Sequence, residues 1–171
     1  AIRARVVLLR DLGSAISPTN SFHIIQGLET LPLRFRVHQE NTEKVANFLS
    51  SRSEVSKVIY PGFHKNAEDI NRTKKYLQNG NGPLVGFELK GGRDAGQQFI
   101  NNLKLIYHVA NIGDVRTLAI HPASTTHSQL SVEDQLKTGV TPGYVRLAVG
   151  IEHIDDILED LTQAIENIEL Q

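Results

Sequence analysis

Arg146 is the residue of this sequence whose type and setting best suit the binding of an anion. It lies in Tyr-Val-Arg-Leu-Ala-Val, which has the apolar alternation of a β-strand. Alternation puts Arg146 on one face with Tyr144 and Ala148, and the valines and the leucine on the other. An arginine among small and apolar neighbours needs an anionic partner, and its planar fork fits a carboxylate. That carboxylate belongs either to a ligand or to an Asp or Glu elsewhere in the fold, and the two readings stay open.

The stretch from Tyr107 to His127 carries further polar groups that could act with this arginine. Asn111 to Asp114 predicts an Asx-type turn between strands, with a turn that faces a ligand as the alternative. Thr125 and Thr126 either orient a charged group or satisfy backbone groups of the loop. We expect this stretch and the strand of Arg146 to form one wall of an anion-binding pocket, with the rest of the pocket outside this chain.

Two histidines in the same stretch raise the question of a metal. His121 and His127 are six residues apart, which is not the spacing of a helical pair of ligands, and no carboxylate is suitably placed nearby. Structural hydrogen bonding through the imidazoles is therefore favoured over metal binding, and no metal site is predicted. Walker motifs, serine-centred elbows and the His-Glu-x-x-His motif are absent from the sequence.

Composition narrows the class of protein. The chain has 171 residues, 40% of them hydrophobic and 22% charged, as expected for one soluble domain. A net charge of −1 gives no electrostatic case for nucleic acid or an anionic membrane. With no cysteine the chain has no disulfide and no thiolate metal site, and a cytoplasmic location is the default. The first residue is Ala1, and Arg3 and Arg5 carry the wrong charge for a helix start, which suggests a piece of a longer chain.

The hydrophobic pattern predicts an α/β sandwich: a helical arm over 1–51, followed by a small sheet covered by helices over 52–171. Helices are predicted at 1–12, from 18 to Pro32, and at 33–51, 67–77, 93–103, 131–138 and 151–168. Strands are predicted at 55–60, 84–89, 106–110, 117–120 and 144–149. Gly13 and Gly139 end helices, whereas Ser17-Pro18 and Ser131 begin them.

Several long segments resemble the C-terminal part of the Cys/Met-metabolism PLP-dependent enzymes, most closely the O-acetylhomoserine sulfhydrylase branch. The similarity covers nearly the whole chain and includes LRDLGSAISPTNSF, QGLETLPLRFRVHQEN, VIYPGF, ANIGDVRTLAIHPASTTH and GYVRLAVGIEHIDDILEDL. This resemblance implies the C-terminal domain of a fold-type I PLP-dependent transferase.

The resemblance assigns roles to three residues of a substrate site. Arg146 matches the arginine that binds the α-carboxylate of the amino-acid substrate. Asn111 falls where related γ-lyases and synthases have a serine that also contacts this carboxylate, and Thr126 matches a threonine that supports the arginine. Arg116 stands where the lyase-like pattern Ser-Leu-Gly-Gly-x-Glu has its acidic residue, which favours the sulfhydrylase over cystathionine γ-synthase or γ-lyase.

The family's cofactor, pyridoxal 5′-phosphate, is expected to be bound by a missing N-terminal part. None of the chain's lysines has the Ser-x-Thr-Lys setting of the family's cofactor-binding lysine, so no catalytic or cofactor-binding residue is predicted here, and the chain alone is expected to be inactive. The full-length protein is expected to replace the acetate of O-acetylhomoserine by sulfide, as a homotetramer that binds a small amino acid, neither nucleic acid nor membrane. A non-catalytic domain that binds small carboxylates remains an alternative, as does a merely structural domain.

Overall fold

The structure is a computed structural model that describes residues 1–169, and contacts divide it into two units, Ala1–Leu33 and the chain from Arg34 onward. The strands are β1 (Val55–Ile59), β2 (Leu84–Leu89), β3 (Tyr107–His108), β4 (Leu118–Ile120) and β5 (Tyr144–Ala148). The helices are α1 (Arg10–Leu12), α2 (Pro18–Glu29), α3 (Leu31–Ser51), α4 (Ala67–Tyr76), α5 (Gly92–Asn102), α6 (Val132–Lys137) and α7 (Ile154–Glu166). The predicted mixed α/β class is confirmed.

The first unit is helical, and one helix ends at Gly13 and the next is capped by Ser17, as predicted. A π-helical segment, Ala4–Leu9, leads into α1, which ends at Gly13 in the left-handed conformation, φ +66°. The Ser17 hydroxyl accepts a hydrogen bond of 3.1 Å from the Asn20 amide and so caps α2, with Pro18 in its first turn. No residue of this unit is buried, and large apolar side chains such as Ile2 and Phe22 are exposed.

The sheet of the second unit has the strand order β1-β2-β5-β4-β3. All neighbours are antiparallel except β3 and β4, which are parallel. β5 is therefore the middle strand, and its residue Arg146 lies directly between Gly86 of β2 and Ile120 of β4. This position puts the predicted anion-binding residue at the centre of the sheet.

One face of the sheet forms the core. Alternate residues of β2 and β5 point into it, and α3, α5 and α7 supply the apolar side chains that cover them. The Phe87 ring on β2 meets the Phe99 ring on α5 edge to face, with 5.4 Å between ring centroids. The stripe predicted for the last helix is buried at Ile157, Leu161 and Ile165.

The long helix α3 belongs to this core by its second half, where Val45, Ala46 and Leu49 are fully buried. The sequence analysis drew the boundary of the arm after residue 51, whereas contacts divide the chain at Leu33. The difference arises because the apolar stripe of α3 packs onto the sheet. A link from residues 1–51 to a missing large domain stays a prediction.

Several elements are shorter than predicted by one to three residues at an end, and two of these differences have a hydrogen-bonding cause. Strand β3 begins only at Tyr107, because the amides of Leu105 and Ile106 donate to the Asp160 carboxylate rather than to a strand. Helix α7 begins at Ile154, because the His153 side chain caps it by accepting from the Asp155 amide.

Candidate functional site

Arg146 projects from the face of β5 opposite the core, since its neighbours Val145 and Leu147 are fully buried in the core. Its Nη2 donates a hydrogen bond of 2.9 Å to the carbonyl of Ala110 and lies 3.5 Å from the carbonyl of Asn111. The side chain thus reaches past β4 to the loop that follows β3. The structure brings Arg146 to the backbone carbonyl of Asn111, and the predicted role of the Asn111 side chain stays a prediction.

The guanidinium of Arg146 keeps unused hydrogen-bonding capacity. Among residues 1–169 it forms no ion pair with a carboxylate, and its Nε is buried without an acceptor. Leaving such a donor unpaired costs about 1–3 kcal/mol. The internal ion pair that the sequence left open is therefore not formed within the part of the chain that the structure describes.

The loop from Ala110 to Asp114 lines an open depression of about 460 Å³. Its shape is set by Arg116, whose Nε and Nη2 donate to the two carboxylate oxygens of Asp114 at 3.2 and 3.1 Å. The Asp114 carboxylate also accepts from the Arg116 amide at 3.0 Å, so the Asx-type turn spans Asp114 to Arg116 and not Asn111 to Asp114, where it was predicted. These hydrogen bonds from Arg116 lower the pKa of Asp114 below its ordinary value.

Arg116 is fixed by a second contact as well. Its guanidinium lies over the ring of Tyr107, 4.6 Å from the ring centroid. Because Tyr107 is in β3, this stack joins the loop to the edge of the sheet. Arg116 therefore holds the loop whose carbonyls bind Arg146, a role that the sequence alone did not indicate.

His121 is fully buried and has a structural role. Its Nε2 donates to the Pro142 carbonyl at 2.7 Å, so Nδ1, 2.8 Å from the Ser124 hydroxyl, accepts in the neutral ring. Burial lowers its pKa, which favours this neutral form. Gly96 of α5 leaves the space that the ring occupies, since a Cβ there would overlap the imidazole.

Thr126 is exposed, and its hydroxyl hydrogen-bonds with Nδ1 of His127 at 2.9 Å. Within residues 1–169 no hydrogen bond joins Thr126 to Arg146, so the predicted support of the arginine stays a prediction. The neighbouring Thr125 hydroxyl donates to the His121 carbonyl and so satisfies a backbone group of the loop.

Sequence reasoning missed Gln135, a buried amide on α6 that donates to the carbonyls of Ala123, His127 and Leu130.

The strand of Arg146 is held in place at its end by α3. His38 Nδ1 donates to the Val149 carbonyl at 2.6 Å, and Asn41 donates to the carbonyls of Gly150 and Glu152. The Glu152 carboxylate in turn accepts from the amide and the hydroxyl of Thr117, beside the start of β4. The end of β5, which carries Arg146, and the start of the neighbouring β4 are therefore fixed by hydrogen bonds with polar side chains.

Searches over the described 169 residues give two further findings. No group of three or more His, Cys, Asp or Glu side chains is arranged to hold a metal ion. None of the helices in that range has the length and apolar character needed to cross a membrane.

The fold and the site together define a class of protein. The profile of the Cys/Met metabolism PLP-dependent enzymes matches residues 2–166, and the chain belongs to this family. Its fold is that of the C-terminal part of fold-type I PLP-dependent enzymes.

Similarity to individual proteins points to one branch of the family. The chain is 52% identical to an O-acetyl-L-homoserine sulfhydrylase of Leptospira meyeri and 48% identical to O-acetyl-L-homoserine sulfhydrylase 1 of Thermus thermophilus, with 98% and 96% of the chain covered. It spans only 38% and 39% of the length of these relatives. It is also 39% identical to an L-methionine gamma-lyase of Fusobacterium nucleatum over 98% of the chain and 42% of that relative.

Two crystal structures have the same fold. A candidate O-acetylhomoserine (thiol)-lyase of Campylobacter jejuni, which contains N′-pyridoxyl-lysine-5′-monophosphate, matches 97% of the chain with a TM-score of 0.86 and 44% identity. Cystathionine gamma-lyase of Lactobacillus plantarum, in complex with L-serine, matches 92% with a TM-score of 0.81 and 33% identity. The chain covers 39% and 41% of these proteins.

The groups around Arg146 do not fit the family's cofactor, because no lysine lines the depression of Ala110 to Asp114 beside it. The carbonyls of Ala110 and Asn111 restrain one end of the guanidinium. Its remaining edge has the planar geometry that pairs with a carboxylate or another planar anion.

Proposed function

We propose that this chain is the C-terminal domain of a PLP-dependent O-acetylhomoserine sulfhydrylase and supplies the site for the substrate's α-carboxylate. The observation that carries the proposal is Arg146, which stands at the centre of the sheet and forms no ion pair with a carboxylate of the described residues. In support, the relatives named O-acetyl-L-homoserine sulfhydrylase match almost the whole chain.

Arg146 binds the carboxylate and so fixes the orientation of the amino acid. The Ala110 carbonyl restrains one end of the guanidinium, and this restraint lowers the entropic cost of presenting the other end to the ligand. A charge-assisted hydrogen bond of this kind contributes about 1.5–3 kcal/mol. Correct orientation then places the bond to be broken in reactive geometry.

Asn111 and Thr126 complete the proposed site. Asn111 lies in the loop that touches Arg146, where its amide group is a second donor for the carboxylate. Thr126 supports the arginine in the assembled protein. There its hydroxyl gives up the hydrogen bond with Nδ1 of His127 and accepts one from the guanidinium of Arg146. These two roles are tested by Asn111→Ala and Thr126→Val.

Pyridoxal 5′-phosphate supplies the electron sink for the replacement of acetate by sulfide. We propose that its binding residues lie in the three-fifths of the relatives' length that this chain does not match. The whole protein then acts on a small amino acid as a cytoplasmic homotetramer, without nucleic acid or membrane as a partner.

The direct test is substitution of Arg146 in the full-length protein. For Arg146→Ala we expect the KM for O-acetylhomoserine to rise by about 10- to 150-fold, which corresponds to the 1.5–3 kcal/mol of a charge-assisted bond. Arg146→Lys keeps the charge but loses the fork, so a smaller rise is expected. An unchanged KM in Arg146→Ala would contradict the carboxylate assignment.

The expected inactivity of the chain alone is tested by mixing it with pyridoxal 5′-phosphate, reducing with borohydride and measuring the mass. We expect scattered, substoichiometric modification of its eight lysines. A stoichiometric adduct at one lysine would overturn this part of the proposal.

A lyase or cystathionine-forming enzyme of the same family is the second candidate, favoured by the similarity to L-methionine gamma-lyase and cystathionine gamma-lyase. Product analysis separates the two, since a sulfhydrylase forms homocysteine from O-acetylhomoserine and sulfide, whereas a lyase releases a 2-oxo acid from methionine or cystathionine. If the full-length protein does neither but binds amino acids without cofactor, it is a carboxylate-binding module.

A further inference from the structure

Tyr144 lies two residues before Arg146 on β5 and shares its face of the sheet. Its ring does not stand above its own strand partner, Glu88, but lies over Gly86, the residue directly opposite Arg146. A Cβ built on Gly86 would be 2.6 Å from Cε2 and 2.7 Å from the phenolic oxygen of Tyr144. The far end of the tyrosine therefore occupies the place where Gly86 lacks a side chain.

This placement brings the phenol beside the stem of Arg146. Directly opposite residues of an antiparallel pair have Cβ atoms about 4.5–5.5 Å apart, so the phenol end lies within roughly 8 Å of the Arg146 Cβ. The Ala110 carbonyl lies on the other side of the guanidinium, beyond β4. Arg146 is thus enclosed between an aromatic side chain on the β2 side and a carbonyl on the β4 side.

The buried Nε of Arg146 is consistent with this enclosure. A guanidinium nitrogen that is screened from solvent and has no acceptor within residues 1–169 requires a neighbour that covers it. Tyr144 is half-buried; burial raises the pKa of its phenol, and the nearby charge of Arg146 opposes that rise. The contact seen for Tyr144 is that of its ring and phenolic oxygen with the space at Gly86.

We infer that Tyr144 is a positioning residue for Arg146: its ring, seated on Gly86, covers the stem and the Nε, and holds the outer edge of the guanidinium toward a ligand carboxylate. This inference rests on the proposed function, because it assumes that Arg146 binds that carboxylate. The inference predicts a preference for ligands with a carboxylate over ligands without one. This preference should depend on the ring of Tyr144 and on the absence of a side chain at Gly86, and not on the phenolic hydroxyl.

The experiment compares two ligands of the full-length protein loaded with its cofactor. L-2-aminobutyrate carries the carboxylate, and its carboxamide is the matched ligand without that charge. Equilibrium binding of both is measured by calorimetry for the wild type and for Tyr144→Ala, Tyr144→Phe and Gly86→Ala. We expect Tyr144→Ala to weaken binding of the acid about tenfold, which is about 1.4 kcal/mol, and binding of the amide less than twofold, because only the acid depends on the position of the guanidinium.

Two variants keep the test independent of folding. Tyr144→Phe retains the ring and should bind the acid within about twofold of the wild type. Gly86→Ala pushes the ring aside and should reproduce the loss of Tyr144→Ala, while the double variant should be no worse than either single one. A change in both ligands alike would mean a merely structural role and would overturn the inference, as would wild-type binding by Tyr144→Ala.

Arg146→Ala separates this inference from the proposed function. If Arg146→Ala keeps the preference for the acid over the amide, the proposed carboxylate site itself is wrong. If Arg146→Ala abolishes the preference and Tyr144→Ala does not, only the role of Tyr144 is wrong.

Discussion

For Arg146 the sequence predicts the face of the strand on which the side chain lies, but the fold is needed to decide what the side chain binds. Alternation placed it on the non-core face of a strand, and the structure agrees, since Val145 and Leu147 are fully buried. The sequence could not choose between a ligand and an internal ion pair. The choice depends on which carboxylates come near the guanidinium, and among residues 1–169 none does.

His121 leads to a prediction at the residue scale. Its pKa is lowered by burial, so below the ordinary value of 6.5 the unfolded chain binds a proton that the folded chain does not. Stability from the neutral ring is present above that value and is lost as pH falls toward the lowered pKa. We expect the free energy of unfolding to decrease between pH 7 and pH 5, by at most about 1.4 kcal/mol per pH unit from this group.

The measurement is urea unfolding of wild type and His121→Gln over that pH range. The stability difference between the two should shrink as pH falls. A pH-independent difference for His121→Gln would contradict the role of burial.

At the scale of elements, most helices and strands followed from the apolar pattern and the caps. The starts of α2 and α6 were predicted from Ser17 and Ser131, and both serines accept the capping hydrogen bond. The start of β3 at Tyr107 was not predictable, because the amides of Leu105 and Ile106 just before it donate to Asp160, more than fifty positions away in the sequence. Local patterns determine caps, whereas a distant carboxylate can set where a strand begins.

Asp160 gives the prediction at this scale. It is buried on α7, and its carboxylate accepts from the amides of Lys104, Leu105 and Ile106 at 2.9–3.0 Å. Asp160→Ala leaves these amides unpaired, so we expect a loss of about 2–5 kcal/mol in the free energy of unfolding.

The control is Glu159→Ala, the neighbouring exposed acid on the same helix, which should change stability by less than about 0.5 kcal/mol. Chemical denaturation of both variants measures the contrast. Similar losses in the two variants would mean that helix charge, rather than capping of residues 104–106, accounts for the effect.

For the molecule as a whole, stability resides in the second unit. None of residues 1–33 is buried, and every member of the hydrophobic core lies at Val45 or later. A chain that begins at Leu31 keeps α3 intact. We expect this shortened chain to unfold cooperatively in urea with a free energy within about 1 kcal/mol of that of the whole chain.

A matched pair of leucines checks the same point without truncation. Leu49→Ala removes a fully buried side chain and should cost about 2–5 kcal/mol. Leu28→Ala, 56% exposed in the first unit, should cost less than about 0.5 kcal/mol. Equal costs would show that the first unit contributes to the folded core.

The sequence by itself determined the α/β class, the order of the elements, the face of Arg146 and the family resemblance. These depend on periodicity, caps and long local motifs, which are properties of neighbouring residues. Only the tertiary structure decided which groups meet: the Ala110 carbonyl at Arg146, the Tyr107 ring under Arg116, and the phenol of Tyr144 over Gly86. Such pairs are set by strand order and register, and a chain pattern does not encode them locally.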